Sequence, residues 1–252
     1  MSDMRRLPFI ITLSLLFFTG ILFSQLTSGV ITMSITDVHM PEMEGQEQMD
    51  GVSSMLKDMS MIIYFKPGEQ VTKMNMMGMM DMSMYFKDGQ MTQYMDMMGQ
   101  KIKVITPVEE DMMIKLGVDK AQIEDMYDIT YDKSSTVDIL GYKCYKAIVK
   151  MDMDAMAQGE ELPEQIKKLD MEWYITEDIK MENFNMQQMP GLKLAGTPLR
   201  MSLDMGMMTM TYEATNIEKT VDDSAFEEPT GDYKEMTNEE LKQMGVNFGS
   251  NN

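Results

Sequence analysis

Hydrophobic residues recur at every second position over much of the chain. Leu199, Met201, Leu203 and Met205 alternate with Arg200, Ser202 and Asp204. A period of two places the first four on one face of an extended strand and the other three on the opposite face. The same alternation groups Ile31, Met33 and Ile35, then Met59, Met61, Ile63 and Phe65, then Met171, Trp173 and Ile175. Each group predicts a strand with one buried and one wet face. Lys66-Pro67-Gly68-Glu69 and Lys87-Asp88-Gly89-Gln90 fall between apolar-aromatic runs and predict hairpin turns, because glycine accepts the positive φ such turns need. Gly206 likewise divides Leu199–Met205 from Met207–Ile217. The expected architecture is a meander of about eight to eleven antiparallel strands.

Helical signals are fewer. Gln46–Lys57 suits a short helix weakened by Gly51, and Asp119 is a good N-cap for a helix reaching Met126. Met153–Lys168 contains Gly159 and Pro163 and is expected to break in two. Thr237 can cap Asn238–Met244, with Glu239 and Glu240 in the favourable first turn. These elements predict an α+β protein, a single large sheet with a few helices on one side. One domain is expected over 25–235, followed by a short helix and frayed tail over 236–252.

The N-terminus changes the expected compartment. Arg5 and Arg6 precede an apolar run from Leu7 to Phe23, and Leu22-Phe23-Ser24 offers a small residue for cleavage before Gln25. That is the pattern of a cleaved signal peptide over 1–24; an uncleaved anchor competes, but the run is at the short end for spanning a bilayer. No Cys follows the run, which argues against lipid attachment there. A periplasmic or secreted product, without a transmembrane segment after cleavage, is expected.

Charge and residue counts exclude several chemistries. The 252 residues carry 41 Asp plus Glu against 22 Lys plus Arg, a net charge of -19, which opposes nucleic acid and anionic membrane surfaces. With 44% hydrophobic residues the chain can bury a substantial core. Cys144 and His39 are the only residues of their kinds, so neither a Cys/His zinc cluster nor an internal disulfide can be assembled. Cys144, between Lys143 and Tyr145, is expected as a small buried hydrophobe on a strand. Trp173 is expected in the core. His39 lies near Met40, Pro41 and Met43; a surface or turn histidine is the simpler reading beside a His/Met metal site. Acidic pairs such as Glu109-Glu110-Asp111, Asp222-Asp223 and Glu227-Glu228 lack the spacing of a calcium loop. A Ser/His/Asp triad, a carboxylate pair in a hydrolase context and a glycine-rich phosphate cradle are all missing, so no enzyme and no cofactor is expected.

The segment Asp138-Ile139-Leu140-Gly141-Tyr142-Lys143-Cys144-Tyr145-Lys146-Ala147-Ile148-Val149 resembles a turn-and-strand found in a set of exported bacterial proteins of unknown function. The Ile62–Gly68 hairpin, Met189-Pro190-Gly191-Leu192, Gly196-Thr197-Pro198-Leu199, and Asp223–Pro229 with Gly231 and Tyr233 occur in the same order in that set. The set is distantly similar to the outer-membrane lipoprotein carrier (LolA-like) fold. That resemblance implies a curved antiparallel sheet forming an unclosed half-barrel, with helices over its concave face, and a cavity for acyl chains. It carries over no ligand residue.

Methionine is the compositional oddity, at 37 residues. Three uses are open. Met can replace Leu and Ile on buried strand faces, as Met201 and Met205 do beside Leu199 and Leu203. It can line an adaptable pocket for an irregular apolar ligand, for which Met61, Ile63, Phe65, Met201, Leu203 and Met205 are the candidate lining. It can also bind soft Cu(I) or Ag(I), for which the dense block Met74 to Met84, followed by Met91, Met95, Met97 and Met98, is the candidate, with Met76, Met77, Met79, Met80, Met82 and Met84 at suggestive spacing. Doublets such as Met76-Met77, Met79-Met80, Met97-Met98 and Met207-Met208 must, inside a strand, put one thioether on each face, so some should be exposed. The leading expectation is a non-catalytic exported carrier for an apolar small molecule or lipid. The alternatives are a methionine-based Cu(I)/Ag(I) protein and an envelope-interaction protein without ligand.

Overall fold

The computed structural model describes residues 25–39, 56–76, 80–97, 99–107, 127–152, 168–181, 192–204, 208–237 and 240. Its strands are β1 (Gly29–His39), β2 (Ser60–Lys66), β3 (Glu69–Met76), β4 (Met80–Lys87), β5 (Gln90–Met97) and β6 (Gln100–Pro107). After these come β7 (Tyr127–Ile139), β8 (Tyr142–Asp152), β9 (Lys168–Thr176), β10 (Thr197–Asp204), β11 (Thr209–Glu218) and the two-residue β12 (Lys234–Glu235). They form one curled sheet in the order β12-β6-β5-β4-β3-β2-β1-β11-β10-β9-β8-β7. The N-terminal strand is therefore central. One meander runs from β2 outward to β6, and a second begins at the far edge and returns to lie beside β1.

Turn chemistry explains the regular hairpins. Gly68 has φ 78 after Pro67, the sign pattern of a type II turn. Asp88 (φ 52) and Gly89 (φ 74) are both left-handed, as a type I′ turn requires. Leu140 (φ 53) and Gly141 (φ 82) repeat that pattern, and the strained leucine sits on the surface, its side chain half in water. Asp138 Oδ1 accepts the Gly141 N–H at 3.0 Å and helps hold the turn.

The alternating strands stand where the hydrophobic pattern places them. Ile31, Met33 and Ile35, then Met171, Trp173 and Ile175, are buried along single faces. Two features differ from expectation. The sheet has twelve strands rather than eight to eleven, and it is mixed, because β12 pairs with β6 in parallel, Lys234 opposite Ile102. Two exposed polar residues carry no period-two signal, so the sequence could not announce this strand. Lys168, expected to end a helix, instead opens β9. The rest of the helical expectations over 46–55, 119–126 and 153–167 lie outside the described residues, as does the leader over 1–24. Helix placement over the sheet is likewise outside them. The capping signal at Thr237 is present: its Oγ1 accepts the Glu240 N–H at 3.2 Å, and Glu240 accepts the Thr237 N–H at 2.8 Å, a reciprocal capping box.

One face of the sheet carries two clusters of buried apolar residues. Across β1, β2 and β7 to β11 it holds a cluster that includes Ile31, Ile63, Phe65, Val149, Trp173, Ile175 and Leu199. Across β4 to β6 it holds Met82, Met84, Phe86, Met91, Met95, Ile102 and Val104, joined by Met236 from just after β12.

Candidate functional site

Cross-strand register determines which side chains share this apolar face. Pairing runs from Met33 to Met61 to Met74 to Met82 to Met95 to Ile102, one residue from each of β1 to β6. The next pairs toward the Pro67-Gly68 and Asp88-Gly89 turns are Ile63, Thr72, Met84, Gln93 and Val104. In the other direction Met76, Met80 and Met97 stand opposite one another. On the second half, Met201 pairs with Trp173 and Tyr212, and Leu203 with Met171 and Met210.

Five of the six predicted lining residues, Met61, Ile63, Phe65, Met201 and Leu203, share this face. Ile63, Phe65 and Met201 are fully buried within the larger cluster, while Met61 and Leu203 are half-buried against it. Met205 lies outside the described residues. Of the predicted metal set, Met80, Met82 and Met84 follow one another along a single face of β4, with Met82 and Met84 buried and Met80 half-buried. Met76 ends β3, and Met77 and Met79 lie outside the described residues. Of the doublets, Met76 is the last residue of β3, Met80 the first of β4 and Met97 the last of β5, while Met77, Met79, Met98 and Met207 lie outside the described residues.

The sequence shows Met74 to Met84 as one run and Met95 and Met97 in the next, but spacing along the chain does not group Met74 and Met82 with Met95, because they meet across strands. The signal existed. A two-residue hairpin loop fixes register, so positions equidistant from Pro67-Gly68 or Asp88-Gly89 must face each other. Met61 and Met74 are equidistant from the first turn, and Met82 and Met95 from the second.

The face is not purely hydrocarbon. Gln70, Thr72, Gln93 and Thr106 are buried on its β3 to β6 portion. The Gln93 amide donates to the Met82 sulfur, and Gln70 Nε2 donates to Thr72 Oγ1 at 3.4 Å. Gln70 Oε1 has no hydrogen-bond partner among the described residues.

A sheet with two separate edge strands, curled around its apolar face, is not a barrel. It is an unclosed half-barrel. Solved structures similar to it include LprF from Mycobacterium bovis, at 12% identity over 83% of this chain and 91% of that one, with a TM-score of 0.34. They also include the Mycobacterium tuberculosis lipoprotein LppX, at 10% identity over 78% and 89%, TM-score 0.36. A LolA superfamily protein from Nitrosomonas europaea shares 9% identity over 81% and 91%, TM-score 0.33. The LolA superfamily named in the last of these is the one whose fold the sequence motifs resemble. At these scores the likeness adds nothing to the strand order, on which the fold assignment rests. No protein-family model and no curated protein matches the chain.

The opposite face of the half-barrel differs between its two portions. Behind β8 to β11 it is charged: Lys146 pairs with Glu172 at 2.7 Å and Arg200 with Glu213 at 2.6 Å, and both cations lie over the Tyr174 ring. Behind β2 to β6 a C-terminal strap covers it. The strap begins in a 3₁₀ turn, Asp223–Phe226, capped by Asp222. Phe226 and Tyr233 then pack on Tyr64, Val71, Tyr85 and Tyr94. Tyr94 donates to Glu228 at 2.5 Å and meets the Tyr233 ring edge-on. Burial, reinforced by the Glu228 carboxylate, pushes the Tyr94 hydroxyl pKa well up. Past β12 the strap turns over the β6 edge: the Met236 N–H donates to the Lys103 carbonyl at 2.9 Å, and its side chain enters the methionine cluster.

Cys144 is fully buried, and loss of solvent pushes its thiol pKa up to about 12. It is a core hydrophobe, not a nucleophile. His39 ends β1 in an exposed position. Among the described residues no three of His, Cys, Asp and Glu gather to hold a metal, and no helix is long and apolar enough to cross a membrane.

Proposed function

We propose that the chain is a non-catalytic exported carrier that holds an apolar ligand, such as a lipid or acyl chain, against the apolar face of the half-barrel. The supporting observation is a face that carries two apolar clusters, one across β1, β2 and β7 to β11 and one across β4 to β6, in a sheet that does not close on itself. An unclosed barrel has room between its facing walls that a closed eight-stranded barrel fills with side chains. Half-buried residues on that face, Met61, Met74, Leu203 and Tyr212, offer the surface a ligand would cover. Unbranched methionines repack around irregular apolar shapes at little rotamer penalty.

Native mass spectrometry of protein purified from its own host, with solvent extraction of whatever it carries, tests this reading. A co-purifying apolar molecule, displaceable by a hydrophobic dye, is the expected result. Protein that emerges empty and has no affinity for such dyes rules the carrier out. Export rests on the apolar run from Leu7 to Phe23, and N-terminal sequencing of the exported product should begin at Gln25.

A further inference from the structure

The geometry points to a soft-metal site for Cu(I) or Ag(I), built from thioethers on three adjacent strands: Met74 of β3, Met82 of β4 and Met95 of β5, flanked by Met97 and Met236. Met82 is the direct register partner of both Met74 and Met95. Directly opposed residues of an antiparallel pair have Cβ atoms about 4.5–5.5 Å apart. Each methionine adds an unbranched Cβ–Cγ–Sδ arm. Three such arms from adjacent strands can bring their sulfurs to one point without moving the backbone. Met97, two residues along β5, and Met236, carried over the edge by the strap, pack on the same cluster and can supply a fourth sulfur.

Chemistry selects the ion. Thioethers are soft ligands that suit Cu(I) and have little affinity for calcium, magnesium or manganese. They carry no proton to lose, so binding would not depend on pH. The Gln93 amide donates to one lone pair of the Met82 sulfur, which orients that side chain and leaves the second pair free. Met82 and Met95 are buried and supply a dry interior, while Met74 and Met97 are half-buried and form the side open to an incoming ion. A net charge of -19 favours accumulation of cations around the protein.

A purely structural role explains this arrangement less well. Elsewhere on the same face the packing is done by Ile31, Ile63, Val149, Ile175 and Leu199, with methionines dispersed among them. The row of opposed methionines runs from Met33 of β1 through Met61 to Met95 of β5, and its members Met74, Met82 and Met95 are the ones that gather in a cluster with further methionines, Met97 and Met236. The site shares Met74 and Met82 with the run Met74–Met84 that local spacing suggests, but it takes one residue from each of three strands and so includes Met95. It does not depend on the carrier reading, because ligand extraction and metal titration can succeed or fail separately.

Ag(I), which needs no reductant, is the probe. Purified full-length exported protein is titrated with Ag(I) against a competing chelator, beside the triple variant Met74→Leu/Met82→Leu/Met95→Leu and the control Met208→Leu/Met210→Leu. Leucine nearly preserves volume, and circular dichroism with thermal unfolding checks that each variant folds. Wild type and control should bind Ag(I) tighter than about micromolar. The triple variant should bind at least about tenfold more weakly, since even loss of a supporting contact has that effect. Absence of such binding in the wild type, equal affinity in the triple variant, or an equal loss in the control overturns the site. Should the triple variant not fold, Met82→Leu replaces it, and X-ray absorption of the wild-type Ag(I) complex decides. An all-sulfur shell supports the assignment, and oxygen or nitrogen ligands refute it.

Discussion

The two halves of the half-barrel meet at β1 and fill one continuous face with different materials. From β1 and β2 through β11 to β8, branched and aromatic side chains predominate: Ile31, Ile63, Phe65, Val149, Trp173, Ile175 and Leu199, with methionines dispersed among them. From β4 to β6 the buried apolar residues are mainly Met82, Met84, Met91 and Met95 with Phe86, Ile102 and Val104. Branched and aromatic residues have few rotamers and specify one packing, whereas methionine has three rotatable bonds and accommodates many. The backs of the two halves compensate. The specified half leaves a bare charged back, and the adaptable half is braced by the C-terminal strap with its tyrosine cluster. A surface that must repack can keep a fixed backbone if a second layer holds the strands from behind.

That contrast can be broken by mutation. The largest effect is expected for Trp173→Ala, whose fully buried ring leaves a cavity lined by stiff neighbours: about 3–5 kcal/mol lost, read from urea denaturation. Met95→Ala is equally buried but surrounded by side chains that can close in, so its loss should lie near the low end for such truncations, about 2 kcal/mol. Equal losses would mean that the methionine half is no more adaptable than the other.

Next in size is Tyr94→Phe, which removes the hydroxyl that ties the strap to the sheet through Glu228. A bond to a partly exposed carboxylate is worth about 1.5 kcal/mol, and amide exchange at Met236 should accelerate with it. An unchanged exchange rate would show that the strap does not brace the sheet. Volume-conserving exchanges should matter less: Met82→Leu and Leu199→Met should each lower stability by under about 1.5 kcal/mol. A large loss for Met82→Leu alone would assign that sulfur a role beyond filling space.

The smallest effect at neutral pH concerns Cys144. Its thiol pKa is raised from 9.0 to about 12, so the neutral form is favoured in the fold. The stability linked to that shift is fully present below pH 9 and is lost as pH rises from 9 toward 12, because the unfolded chain releases the proton first. Native protein at pH 8 should resist alkylation by iodoacetamide, and protein in urea should react. Rapid native labelling would contradict burial.

Strands with a clean alternation, such as the one carrying Leu199, Met201 and Leu203, were legible because one face is buried and the other wet. The Asp88-Gly89 and Pro67-Gly68 turns were legible because each needs a particular backbone sign. The β12 strand was not, since Lys234 and Glu235 pair through backbone groups that leave no side-chain pattern. The methionine row was half legible. Its members were visible as a composition, but their grouping depends on pairing between strands, which appears only when register is counted outward from the turns. Gln70 and Gln93 were missed as residues of the apolar face, because a polar side chain at an inward position reads as an interruption of the pattern.

Val30 pairs with Glu218 and Ile31 with Ile217, so the middle of the sheet is a seam between the beginning and the end of the chain. The hairpins from β2 to β6 close over two or three residues and can form within about 1–10 μs, as isolated hairpins do. The seam must wait until nearly the whole chain is present, and its loop-closure entropy makes it the slow step of assembly. A chain entering its compartment N-terminus first would thus deliver β1 early and leave one of its edges unpaired until β11 arrives. During that interval the strand at the centre of the finished sheet is an exposed edge, the place where a stalled molecule would capture a neighbour's strand instead of its own.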